Sequence, residues 1–341
     1  MAAERPITIA TRGSALALAQ AQLILDQCRK TFPKLRFEIK IIKTTGDKMQ
    51  TASLAQEGKT LPKGLFTKEL EVALVKGQAD LAVHSLKDLP TELPPGLKLG
   101  AVTKRADVRD VLIYRDAKYL AAQKSAKQVE EWSPGHSERR GFKPKLTLKD
   151  LPRGVTIATS STRRRDQLLM HRPDFKIVEI RGNVITRMQK LADNPELDAM
   201  ILAAAGIARL NFKITADGKL QGDAVPDGLL AVLLEIETML PAVGQAAIGI
   251  EIRADDERIS KLCERLNHFN TFQCVTAERA FLAAMGGGCA SPVAAYAEVA
   301  GDKIQMKAIS FADGTRRRAE GKRNVKEPEV LGQRLAAELK A

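Results

Sequence analysis

Aromatic residues make up only 4% of this 341-residue chain, with one tryptophan and three tyrosines. Single-stranded nucleic acids are gripped by aromatic stacking platforms, and no RNP-like, zinc-finger or KH pattern is present, so the composition argues against a nucleic-acid partner. Cysteine is equally sparse. Cys28, Cys263, Cys274 and Cys289 follow neither CxxC nor Cys/His ligand spacing, so neither a disulfide framework nor a zinc site is indicated. The four histidines, His84, His136, His171 and His268, offer no local signature of a cysteine nucleophile paired with its base. No segment approaches the roughly 18 uninterrupted apolar residues of a membrane span, and no long apolar run precedes the strand-like ITIA at 7–10. The expectation is a cytoplasmic protein with no membrane partner.

What is abundant is positive charge. A formal net charge of +13 calls for an anionic partner, which charge alone leaves open among nucleic acid, a lipid headgroup and a polycarboxylate. With 44% hydrophobic residues, the chain can bury cores in two or three domains.

A partial internal echo organises it. TIATRGSALALAQAQLIL at 8–25 and TIATSSTRRRDQLL at 156–169 each read as a short strand, a hydroxyl-bearing turn and an apolar helical pattern. Ser14, and Ser160 or Ser161, fall where an N-cap belongs, so each unit turns free N–H groups and a helix dipole toward an anion. Strand-like FEIKIIKTT, ADLAVHSL and LKLGAVT surround helical LFTKELEVALVKG, and the alternation resumes after the second echo with FKIVEIRGN, VITRMQKLAD and DAMILAAAGIARL. KITADGKLQGD reads as a hairpin or loop, LPAVGQAAIGIEI as a returning strand, ISKLCERLNHFNTFQCVTAERAFLAAM as one helical stretch, and AAYAEVAG and KIQMKAISF as strands of a small terminal α+β portion. Residues 116–150, polar and carrying SPGHSERRGFKPK, read as a mobile surface insertion rather than core. Two alike α/β lobes with opposed helix N-termini would form a cleft for an anionic small molecule. A cytosolic sensor would share that plan.

Three arginines, Arg163, Arg164 and Arg165, stand in the first turn of a helix, where cations oppose the macrodipole. A bound carboxylate would supply the reason, since charge-assisted hydrogen bonds contribute about 1.5–3 kcal/mol each. A solvated basic face is the other reading. Arg12, Arg181, Arg187 and Arg209 also fall at or near strand-to-helix junctions, the edge at which α/β sheets bind ligands. HSLKDLP at 84–90 ends a strand on Lys87 and Asp88. An aspartate there can hold cationic N–H groups and exchange protons, or simply form a turn. Cys289, after three glycines, is an approachable loop thiol, whereas the other cysteines sit in helical patterns as packing residues.

Together TRGSALALAQ, KGLFTKELE, ADLAVHSLKDLP, TSSTRRRDQL, IRGNVITR, ILAAAGIARL, LPAVGQAAIGIE and AERAFLAAMGGGCASP, in this order between residues 7 and 313, resemble the porphobilinogen deaminase family. The resemblance implies an α/β protein of two type-2 periplasmic-binding-like lobes and a small α+β C-terminal domain. Residues 1–108 with 246–265 would form domain 1, 109–240 domain 2 with its insertion at 116–150, and 268–341 domain 3. It implies a dipyrromethane cofactor on the Cys289 sulfur through a thioether, with the glycines admitting the bulky pyrrole pair. Four porphobilinogens would be condensed head to tail with loss of ammonia, each through an azafulvene-like cation, and the linear tetrapyrrole released by water. Asp88 matches the catalytic aspartate, expected also to bond the pyrrole N–H groups of the cofactor, and Lys87 its cofactor-binding neighbour. Ser161, Arg163, Arg164 and Arg187 match cofactor-binding positions. Arg12, Ser14, Arg181 and Arg209 match substrate-binding ones, and Gln20 and Lys63 are further carry-overs. No metal is implied, and the chain would act as a monomer. Residues 116–150 and 211–235 are longer than the common bacterial pattern, Arg165 is an added cation, and QEGKTLPKGLF replaces a shorter glycine-rich approach.

Overall fold

The computed structural model describes residues 5–45, 66–126, 139–288 and 291–341. Two compact units emerge, one of Met1–Asp107 with Pro241–Ala341 and one of Val108–Leu240.

The first unit opens with β1 (Ile7–Thr11), α1 (Ala15–Thr31) and β2 (Phe37–Ile41), then α2 (Lys68–Val75), β3 (Leu81–Ser85) and β4 (Leu97–Val102). The second holds β5 (Asp110–Arg115), α3 (Ala117–Ala126), β6 (Thr156–Ala158), α4 (Thr162–His171), β7 (Lys176–Val178), α5 (Val184–Asp193) and β8 (Ala199–Ala203). It continues through α6 (Ala204–Arg209), the short hairpin β9 (Lys213–Ile214) and β10 (Leu220–Gln221), and β11 (Leu229–Leu234). The chain then returns to the first unit as β12 (Ile248–Arg253), α7 (Glu257–Leu266), α8 (Phe269–Ala284), β13 (Val293–Ala300), β14 (Lys303–Ser310), β15 (Arg317–Asn324) and α9 (Pro328–Lys340).

The two large sheets are built on one plan. The first runs β2-β1-β3-β12-β4, with β1 parallel to β2 and β3, and β12 antiparallel to β3 and β4. The second, written β7-β6-β8-β5-β11, repeats those directions strand for strand. This order, with the fourth strand inserted antiparallel, is that of a type-2 periplasmic-binding lobe. The TIAT echo is therefore a structural repeat: β1 and β6 occupy the same place, each followed by a helix capped by a serine.

The inner strands of both sheets are covered on both faces and are buried along nearly their whole length rather than at alternate residues, whereas the edge strand β2 leaves Glu38, Lys40 and Ile41 exposed. In the first, Ile7, Ile9, Val83, Ile250 and Ile252 pack with α1 and α7, while Ala10 and Ala82 meet Leu70 and Leu74 of α2. In the second, Val111 and Ile113 face one core and Leu112 and Tyr114 the other. The three-stranded antiparallel sheet β13-β14-β15 shares a separate core with α8 and α9 through Phe281, Ala295, Ile304, Met306, Leu331 and Leu335.

Two sequence expectations need correction. The stretch from Ile259 is broken at Asn267–His268, because Asn267 Oδ1 accepts the Val102 N–H at 2.9 Å and the His268 N–H donates to Val102 O at 2.8 Å. His268 then caps α8 with its own ring, accepting from the Thr271 N–H. The insertion at 116–150 is not merely surface: Leu146 and Leu148 are buried beside Leu151, and Phe142 packs edge-on against Tyr114. The apolar run 198–210, which the sequence placed in the alternation without an element type, is a strand followed directly by a helix. β5, β11 and β15 were not anticipated. The reason is plainest for β15, whose RRAEGKRN reads as a charged loop but completes the edge of its sheet.

Candidate active site

The first unit gathers its polar groups where β1 and β3 end. Ser14 caps α1, its Oγ accepting from the Ala17 N–H at 3.3 Å. Gln20, on the next turn, is buried and exchanges two hydrogen bonds with Ser85, at 2.8 and 3.1 Å, which ties α1 to the last residue of β3. Ser85 had no claim from sequence. Arg12 follows β1, half-buried, with its guanidinium 4.3 Å over the Phe66 ring, a cation–π contact.

After Ser85 the chain makes one 3₁₀ turn, Leu86–Asp88. Leu86 and Leu89 are buried, Lys87 is half-buried and Asp88 is exposed, so two apolar anchors hold a turn that offers its acid outward. Two other segments fix that turn. Leu86 N–H donates to Ala247 O at 3.0 Å, and Gly244, at φ +69°, lies so close that a Cβ would come within 3.1 Å of Leu86 Cγ and 3.3 Å of the Lys87 nitrogen. From α8, Arg279 donates to the carbonyls of Leu89 (3.1 Å), Pro90 (2.6 Å) and Thr91 (3.2 Å). The same helix ends at Ala284 and leads into Gly286–Gly288. Gly288 and Ser291 bond to each other, the Gly288 N–H to Ser291 Oγ at 2.8 Å and the Ser291 N–H to Gly288 O at 3.0 Å. At Gly287 a Cβ would meet Ser291 Oγ at 2.2 Å, so only glycine allows this close approach. Cys289, between them in sequence, and Lys63 lie outside the described residues.

Burial pushes the other three thiols, Cys28, Cys263 and Cys274, up to about 12. Each is packed in a helix as a neutral filler.

The second unit repeats the arrangement with more charge. Ser161 is the cap of α4, its Oγ accepting from the Arg164 N–H at 3.4 Å, while Ser160 bonds Ile180 across the ends of β6 and β7. Arg163 and Arg164 turn inward. Both are buried, and both donate to Asp110, at 2.7 Å each, as well as to the carbonyls of Leu240 (2.6 Å) and Ile201 (3.1 Å) respectively. The counter-charge that three first-turn arginines demand is thus partly internal. Asp110 is the residue the sequence reading missed, although a carboxylate was required somewhere near them. Arg165 is exposed and pairs with Asp166.

Arg181 is exposed after β7, 3.1 Å from Glu179. Arg187, on α5, donates from Nε to Gly182 O at 2.7 Å. Arg209 ends α6, the helix that follows β8 as the Asp88 turn follows β3, and burial lowers its guanidinium to about 10. Among the described residues no cluster of His, Cys, Asp and Glu could hold a metal ion, and no helix is long and apolar enough to cross a membrane.

Two type-2 periplasmic-binding sheets with capped helix N-termini and cationic side chains at their carboxyl edges define a protein equipped for anionic small molecules. Comparison with known proteins narrows that class. Residues 7–261 match the family model described as porphobilinogen deaminase, dipyromethane cofactor binding domain, and residues 272–341 match the porphobilinogen deaminase C-terminal domain. The porphobilinogen deaminase of Desulforamulus reducens is 40% identical over 337 residues, covering 98% of this chain and 94% of the relative. That of Geobacter metallireducens is 42% identical over 315 residues, covering 92% and 84%.

The chain belongs to the porphobilinogen deaminase family. It is a transferase of tetrapyrrole biosynthesis with hydroxymethylbilane synthase activity, and its cofactor is dipyrromethane. The donor set fits that group. Dipyrromethane carries acetates and propionates, which suit the capped helices and the arginines, and pyrrole N–H groups, which an outward carboxylate such as Asp88 can accept.

Proposed function

We propose that Asp88 is the catalytic acid and base of the condensation and that the cofactor is attached through Cys289. The observation that carries this reading is the placement of Asp88: exposed on a one-turn helix, with its flanks buried and its loop pinned by Arg279 of α8. That helix runs on into the glycines before Cys289, so the aspartate and the start of the cysteine loop are referred to one rigid element.

The bound dipyrromethane supplies a free pyrrole α-carbon, from which the chain grows. Asp88 accepts pyrrole N–H bonds, stabilises the positive charge that develops when porphobilinogen loses ammonia, and removes the proton from the newly joined ring carbon. Lys87 pairs with a cofactor carboxylate. Ser161, Arg163, Arg164 and Arg187 hold cofactor acids, and Arg12, Ser14, Gln20, Lys63, Arg181 and Arg209 those of the incoming ring. Each ring added brings two carboxylates, which gives the net charge of +13 its purpose. The chain divides into three domains, with 1–108 and 246–265 as the first, 109–240 as the second and 268–341 as the third. It works as a cytoplasmic monomer without a nucleic-acid partner.

Intact-protein mass spectrometry tests the attachment. The wild-type protein should carry a mass increment of about two pyrrole units, and Cys289→Ser should lack it. An increment that survives the substitution would move the attachment elsewhere.

A further inference from the structure

Adjacent residues on a helix point about 100° apart, since a turn takes 3.6 residues. Arg163 and Arg164 nevertheless converge on one carboxylate. Asp110 opens β5, but because β5 runs antiparallel to β8 with Asp110 opposite Ala203, it lies at the carboxyl end of β8. There it is fully buried, with Oδ2 accepting from Arg163 and Oδ1 from Arg164. Burial alone would raise its carboxyl, but the two guanidiniums outweigh that and hold it below the usual carboxylate range. Leu240 O and Ile201 O each accept from the second terminal nitrogen of Arg163 and Arg164, so the pair is fastened to the segment after β11 and to the middle of β8 as well as to the acid.

The charges do not cancel. Two guanidiniums face one carboxylate, which leaves one positive charge buried at the N-terminus of a ten-residue helix whose dipole adds to it. Arg165 has its own acid in Asp166 and does not enter this balance. Among the described residues Arg164 Nε, also buried, has no acceptor.

We propose that Asp110 is a positioning residue for the reaction: its carboxylate draws Arg163 and Arg164 together and sets the α4 N-terminus at a surplus of one positive charge, matched to one carboxylate of the pyrrole chain. The inference rests on the reading of Ser161, Arg163 and Arg164 as carboxylate-binding residues. Asp110 itself touches no reacting atom; it acts through the arginines.

The test compares purified full-length Asp110→Asn and Asp110→Glu with wild type. Porphobilinogen consumption is expressed per molecule carrying the dipyrromethane mass increment, with thermal unfolding measured separately. Asp110→Asn should lose about tenfold in kcat/KM per loaded molecule, the scale of one charge-assisted hydrogen bond misplaced, together with a lower loaded fraction. Asp110→Glu keeps the charge but displaces the fork by a methylene, and should show a smaller loss, about threefold, on the same scale. A lower melting temperature with wild-type kcat/KM per loaded molecule would reduce Asp110 to a structural ion pair and overturn the proposal. If Asp110→Asn does not fold, wild-type kinetics in Asp110→Glu decides the same way. Arg163→Gln and Arg164→Gln separate the two levels: unchanged kinetics in both would refute the reading of the arginines, and the proposal with it. Unchanged kinetics confined to the Asp110 variants would refute the proposal alone.

Discussion

Glu278 on α8 is a buried acid on which three segments depend, and replacing it with glutamine should be costly. Its Oε1 accepts from Arg105 Nη1 at 2.6 Å and the Ala297 N–H at 2.8 Å, and its Oε2 from Arg105 Nη2 at 3.0 Å and the Gly244 N–H at 2.8 Å. Its side chain is 0% exposed and that of Arg105 10%. Burial would lower the Arg105 guanidinium, but Glu278 outweighs it and the net shift is upward. Glutamine has nearly the same shape but keeps one accepting oxygen, so its amide nitrogen would face donors. Arg105 would be left charged and uncompensated, a loss of about 3–5 kcal/mol when one partner of a buried pair is removed. The orphaned backbone N–H adds about 1–3 kcal/mol. Against a total stability of about 5–15 kcal/mol, the expected loss is about 4 kcal/mol, since relaxation recovers part of the sum. At about 2–4 °C per kcal/mol for a unit of this size, melting followed by circular dichroism should fall by about 8–16 °C. A Glu278→Gln protein that melts within about 2 °C of wild type would refute the reasoning.

Asp88→Asn should retain the cofactor mass yet turn over porphobilinogen about 10²–10⁴-fold more slowly, the range of a lost acid–base group; near-normal turnover by colorimetric assay would remove Asp88 from the chemistry. Cys28, Cys263 and Cys274, raised to about 12 by burial, should resist an alkylating reagent in the native protein at pH 8 and react only after denaturation. Peptide mapping that finds Cys263 labelled in folded protein would contradict this. Asp110 has a folded value depressed below its unfolded value of about 3.9, so its contribution is present above about pH 4 and is lost as pH falls through the folded value. Urea titrations between about pH 4 and pH 2 should therefore show a shallower loss of stability in Asp110→Asn than in wild type, and parallel curves would be inconsistent with a depressed Asp110.

By itself the sequence determined whatever depends on neighbours along the chain. Ser14 could be named as one helix cap because a cap bonds an N–H three residues on, and the other narrowed to Ser160 or Ser161, between which the structure chose Ser161; α5 could be read over Val184–Asp193 because its apolar spacing is local. The repeated TIAT likewise marked the common strand of both sheets, and the turn after β3 announced Asp88. β15 was illegible because its strand character comes from hydrogen bonds to β14, not from an apolar pattern of its own. Tertiary structure alone decided the partners of the charges. Asp110 lies 53 and 54 residues from the arginines it joins, and Glu278 lies 173 from Arg105. An ion pair carries no sequence period. Folding must first bring a strand end, a helix terminus and a crossover segment together, and only then does burial make an unpaired charge costly enough that each must have its counterpart.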